Sequence, residues 1–157
     1  MELPLKRVEE FLHQRIPLSK AMNCQVQECA KNSITLFVPK FANTVENDRF
    51  FYGGLSTLGT LNAWTLAQVA LRRLDYEPDI RLLKADWKFN QEPSVEATEI
   101  RSICKLPSDK EWQQCLRMLS RKAQANITLK SDILEENKRI ATVTCEFQAT
   151  DLDHQGL

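Results

Sequence analysis

The sequence predicts an α+β fold in which one long central helix is wrapped by a curved, mainly antiparallel sheet, with an N-terminal helix and one additional surface helix. Three observations carry the prediction. The run from Phe50 to Leu71 (FFYGGLSTLGTLNAWTLAQVAL) holds no charged residue, in a chain whose residues are 27% charged. A helix that is apolar on nearly all sides must be enclosed on nearly all sides, and in 157 residues the wrapping large enough is a curved sheet. Behind that run lie long β-rich segments with a two-residue period, enough strand to form such a sheet. Two other helical patterns each carry a single apolar stripe, so they cover the assembly and do not fill it.

Taken in chain order, Leu5, Val8, Leu12 and Ile16 recur at helical spacing between Pro4 and Pro17 and open the chain with an amphipathic helix. Two strands are expected next, CQVQECA and then SITLFV, where Ile34, Leu36 and Val38 share one face and Pro39 ends the run. An irregular, Asn- and Asp-bearing loop from Lys40 to Tyr52 delivers the chain to the uncharged helix. That helix is expected to stop near Leu74, since Arg72 and Arg73 complement its carbonyl end and DYEPD breaks the pattern. Ile80–Phe89 and Val95–Leu106 read as two long strands joined by a hairpin-like turn at Asn90-Gln91-Glu92-Pro93. Ser108 to Glu111 has the form of a capping box ahead of the stripe Trp112, Cys115, Leu116 and Leu119, which places a surface helix at 109–122. The chain closes with strands Ala125–Leu134 and Lys138–Thr150 around a turn at Glu136-Asn137, the last strand alternating Ala141, Val143, Cys145, Phe147 and Ala149 inward. In order, these elements make the hotdog arrangement.

Composition bounds the function. Residues 1–157 fit one domain, with no internal repeat or linker-like stretch. Lys plus Arg equal Asp plus Glu at 21 each, so the chain lacks the basic field with which nucleic-acid binders collect phosphates. The uncharged run is long enough to cross a bilayer, but Asn62, Gln68, Ser56 and three threonines are scattered along it, which argues against a membrane span. Five spread cysteines and a first segment unlike a signal peptide point to a reducing, cytoplasmic setting. Cys24 and Cys29 are the one close pair, and His13 and His154 lie near the chain ends, so neither a metal site nor a cofactor is expected.

Several residues also carry a resemblance. IPLSKAMN (Ile16–Asn23), two strands, Pro39, an Asn-bearing loop, Phe51-Tyr52-Gly53-Gly54 and then Asn62-Ala63-Trp64 resemble the thioesterase domain found as the C-terminal half of YiiD-type proteins, within the hotdog superfamily. The specific residues span positions 16–64, and the element order matches over nearly the whole chain. The resemblance implies hydrolysis of acyl thioesters carried by coenzyme A or an acyl carrier protein. It also implies a homodimer or dimer of dimers with sites at the subunit interface. Asn43 stands where the family has its early loop Asn. Asn47, Asp48 and Arg49 stand where family members tend to show histidines, Tyr52 where His-Gly-Gly enzymes have His, and Thr60, Leu61 and Asn62 where they carry Asp or Glu.

Thioester hydrolysis needs an activated water and stabilisation of the oxyanion formed on attack. Gly53 and Gly54 at the helix start can present backbone N–H groups to that oxygen, aided by the helix dipole, or can simply allow tight packing. Asp48 is the first candidate base and Asp86 the second, though strand alternation turns Asp86 away from Ala85 and Trp87. Asn43, Asn47 and Asn62 can place a water or the carbonyl, and Asn62 equally suits a hydrogen bond across the core. Tyr52 can donate to the carbonyl or close an acyl tunnel, and Lys84, Lys88, Arg72 and Arg73 are candidates for phosphate contacts. An acyl-thioester hydrolase is the leading reading, and a non-catalytic acyl-binding or scaffold protein is the alternative.

Overall fold

The computed structural model describes residues 4–154. Pro4 precedes α1 (Leu5–Arg15), which buries Val8 and Leu12 while Leu5, at the helix start, is exposed. Ile16 ends that helix because Pro17 follows, and Pro17 in turn starts the short α2 (Pro17–Ala21). Strands β1 (Gln25–Cys29) and β2 (Ser33–Pro39) pair antiparallel with a bulge between Val26 and Glu28. The segment after Pro39 is more ordered than its composition predicts. It forms 3-10 turns at Lys40–Ala42 and Glu46–Asp48 and a small antiparallel pair, β3 (Thr44–Val45) with β4 (Arg49–Phe50). Asn47 (φ 64) and Asp48 (φ 55) occupy the left-handed conformation at its tip, where Asn and Asp are tolerated.

The uncharged run forms α3 (Tyr52–Arg72), ending two residues before the expected Leu74. Arg72 there makes a bidentate ion pair with Glu77, both contacts at 3.0 Å, and Arg73 donates to the Ala30 carbonyl at 3.0 Å. After it come β5 (Pro78–Phe89), β6 (Glu99–Lys105), α4 (Asp109–Lys122), β7 (Gln124–Glu135) and β8 (Lys138–Asp151). Ser108 caps α4 by accepting the Glu111 N–H at 3.3 Å, and Ala123 closes it in the left-handed conformation. Ala141, Val143, Cys145, Phe147 and Ala149 all lie in the core, so the period-two reading of β8 holds from Ala141 on, while Ile140, expected on the half-solvent face, is buried as well.

The hairpin expected between Ile80–Phe89 and Val95–Leu106 does not exist. The large sheet runs β1-β2-β6-β7-β8-β5, every pairing antiparallel, with β6 between β2 and β7 and β5 on β8 at the far edge. Residues 90–98 are therefore a crossing, not a turn. The local cue was sound in part, since a hydrogen-bonded turn does form at Ser94–Ala97 just after Pro93, but turn chemistry does not say which strand is the partner. The long β8 decides it by pairing along its length with both β7 and β5.

α3 packs on β2, β5, β6, β7 and β8, which makes it the centre of the hotdog. Leu55, Leu58, Leu66 and Leu71 are fully buried, each worth roughly 1.5–3 kcal/mol of apolar burial. Closest approach occurs at Gly59, where a Cβ would meet Val143 Cγ2 at 2.6 Å and Val143 Cβ at 2.8 Å. Ser131 Oγ donates to the Gly59 carbonyl at 2.7 Å from the same side. Gly59→Ala is expected to lower stability by about 1–3 kcal/mol, the clash outweighing the helix propensity gain of about 1 kcal/mol. Urea midpoints check this, and Val143→Ala in the same chain is expected to restore part of the loss.

Candidate active site

The N-terminal mouth of α3 is built from three segments: the β3–β4 pair, the first turn of the helix, and the crossing at 90–98. Phe51 is the N-cap, so Gly53 and Gly54 lie inside the first turn and not ahead of it. Gly54 N–H donates to the Phe51 carbonyl at 2.9 Å, whereas the N–H groups of Tyr52 and Gly53 meet no acceptor among the described residues. The open N–H groups at this turn are thus those of Tyr52 and Gly53, one residue earlier than the Gly53-Gly54 pair considered for an oxyanion. A Cβ on Gly53 would meet the Phe51 ring at 2.6 Å, so a larger residue there would have to displace that exposed side chain.

A cleft of about 270 Å³ opens beside this turn, walled by Val45, Phe50, Phe51 and Val95, with Arg49, Tyr52 and Glu92 as its ionisable groups. The Tyr52 ring stacks on Phe89 with centroids 4.7 Å apart. Its phenol is held above its ordinary pKa, by partial burial first and by the neighbouring Glu92 carboxylate next, with Arg49 pulling the other way. Glu92 and Arg49 are the site residues that sequence reasoning missed. Only the crossing brings Glu92 to the helix mouth, and no local pattern marks a crossing.

The other predicted site residues divide sharply. Asn43 is buried behind the mouth, where its Nδ2 donates to the Pro39 carbonyl at 2.8 Å and the Met22 carbonyl at 2.9 Å. It also accepts the Phe51 N–H at 2.9 Å through its backbone oxygen, so it positions the first turn. Asn47 and Asp48 sit exposed at the loop tip. The Asp48 side chain is 77% exposed and pairs with Lys40 at 3.3 Å, so the apolar wall assumed for a base is missing around it. Asn62 is fully buried, donating to the carbonyls of Ser102 at 2.8 Å and Ile34 at 3.1 Å and touching Ser102 Oγ, while its Oδ1 is unpartnered. It ties α3 to β2 and β6 and lies away from the cleft. Asp86 points out from the edge strand and pairs with Lys84 at 3.3 Å.

Neither cysteine nor histidine chemistry reaches the mouth. Burial pushes the thiols of Cys24 and Cys104 up to about 12, which keeps them neutral and non-nucleophilic. His13 bonds the Cys24 carbonyl at 2.7 Å from α1. Among the described residues no group of His, Cys, Asp and Glu could hold a metal ion, and no helix is long and apolar enough to cross a membrane.

A long uncharged helix wrapped by antiparallel strands, with an apolar cleft at its mouth, defines a hotdog-fold protein. The chain belongs to the family described as putative thioesterase (yiiD_Cterm), whose model matches residues 5–151. Its structure is similar to that of a protein of unknown function from Chlorobaculum tepidum (TM-score 0.84, 17% identity, 93% of each chain covered). A putative thioesterase from Shewanella oneidensis gives TM-score 0.77 at 17% identity, covering 94% of this chain and 96% of that one. A thioesterase from Haemophilus influenzae gives 0.74 at 10% identity, covering 99% and 96%. At these identities the likeness shows the fold. No curated protein matches the chain by sequence.

Asn62→Leu separates a core role from a substrate-binding one. Removing the amide while keeping similar bulk is expected to cost about 1–3 kcal/mol, because the Ile34 and Ser102 carbonyls lose a buried donor. Thermal unfolding reads that loss, and KM for any acyl thioester is expected to stay at its wild-type value.

Proposed function

We propose that the protein is an acyl-thioester hydrolase acting on acyl groups carried by coenzyme A or by an acyl carrier protein. The single observation that carries this reading is the pair of open N–H groups on Tyr52 and Gly53, set at the positive end of a buried helix beside an apolar cleft. The thioester carbonyl oxygen takes the place of the missing acceptor, and the acyl chain lies against Phe50, Phe51 and Val95. Phe51 folds over Gly53, so its ring must give way as the carbonyl approaches. A carboxylate at the mouth activates the water. Reducing, cytoplasmic surroundings fit the unoxidised thiols of Cys24, Cys104, Cys115 and Cys145.

The working unit in this reading is a homodimer. Strand β5 is an edge strand that shows Leu83 (51% exposed) and Trp87 (53% exposed), and an unpaired apolar edge is a template for another strand. A second copy adding its own β5 there would extend the sheet and bring another face against the cleft. A non-catalytic acyl-binding role is the second reading, favoured by the exposed, lysine-paired state of Asp48.

Wild-type protein is expected to release free thiol from at least one member of an acyl-coenzyme A series of graded chain length. Acyl binding with no turnover on any chain length would leave the binding-protein reading in its place. Sedimentation at micromolar concentration is expected to give a dimer, and Trp87→Glu to shift it to monomer. A monomeric wild type would rule out the interface.

A further inference from the structure

Of the nine residues lining the cleft at the mouth of α3, one is a carboxylate, Glu92. It is carried by the crossing between β5 and β6, and that crossing is tied down on both sides of it. The Asn90 N–H donates to the Ile140 carbonyl at 2.8 Å. On the far side, Ser94 Oγ donates to Glu135 at 2.8 Å, and Lys40 Nζ donates to the Val95 carbonyl at 2.6 Å. Tyr52, across the cleft, is fixed by its stack on Phe89 and places its phenol beside the Glu92 carboxylate. Tyr52 is also the residue whose backbone N–H opens the oxyanion site. One residue thus touches both halves of the chemistry, and an otherwise exposed loop carboxylate is held where a base would be needed.

We infer that Glu92 is the general base of this site and that the Tyr52 hydroxyl is its positioning residue, an assignment that rests on the hydrolase reading above. Asp48, the alternative, lines no part of the cleft and is engaged by Lys40. In the step assigned, Glu92 takes a proton from water as the water oxygen bonds to the thioester carbon. The carbonyl electron pair moves to oxygen and is held by the Tyr52 and Gly53 N–H groups. Collapse re-forms the carbonyl and breaks the C–S bond, and the proton on Glu92 goes to the leaving thiolate. Carboxylic acid and thiol are released, and the carboxylate is restored.

The test uses the full chain with the best acyl-coenzyme A found for wild type. Glu92→Gln is expected to lower kcat by ~100-fold or more with KM little changed, and Glu92→Asp to recover part of the loss. Tyr52→Phe is expected to lower kcat while keeping KM, which a purely packing role for the ring would not do. Circular dichroism on each variant confirms folding, and Glu92 is exposed, so Gln in its place is compatible with the fold. Full activity in Glu92→Gln, or loss of activity in Asp48→Asn alone, would overturn the assignment while leaving the hydrolase reading intact. A wild type that hydrolyses no acyl thioester overturns both.

Discussion

The enclosure of α3 is the constraint on which the rest of the molecule depends. A helix with no charge from Tyr52 to Leu71 has no face it can leave in water, and β2, β5, β6, β7 and β8 all pack on it. Most of the polar groups it does carry are dealt with internally, Asn62 Oδ1 being a buried exception. Thr57, Thr60 and Thr65 return their hydroxyls to carbonyls one turn back, and Asn62 is used as a clamp on β2 and β6. Those local solutions let an alternation of apolar and small polar residues behave as core.

What remains open is the end. A sheet can surround the side of a helix but not its first turn, whose N–H groups point along the axis and out of the wrapping. The chain covers that end twice, with the β3–β4 pair on one side and the 90–98 crossing on the other, and leaves the cleft between them. The same choice that puts β5 at the edge of the sheet creates the crossing. Edge strand and cleft are therefore one topological decision, and a partner on β5 would sit close to the loop that carries Glu92.

Local order was legible in the sequence wherever a single period or cap governed it. The limits of α4 follow from Ser108 and the Trp112, Cys115, Leu119 stripe, and the inward face of β8 follows from its alternation. Partner choice was not legible, because a strand pattern states which face is buried and not which neighbour it meets; hence the hairpin that does not form. The same limit applies to the site. Residues near one another in sequence, such as Asn43, Asp48 and Gly53, were assembled readily, but Asp48 turned out to face solvent and Asn62 to face the sheet. Glu92, nearly forty positions after Gly54, had no local signal to find.

Gly59 has a consequence for motion. Missing a side chain, it lets the helix axis settle against Val143, and the Ser131 hydroxyl grips its carbonyl from below. A helix seated in a notch of that shape cannot slide lengthwise without driving a neighbouring side chain into Val143. Gly59 is thus a fixed point, roughly 10 Å from the first residue of the helix at 1.5 Å per residue. The position of the mouth is therefore referenced to the middle of the sheet, at Val143 and Ile133, as well as to the loops that line the cleft.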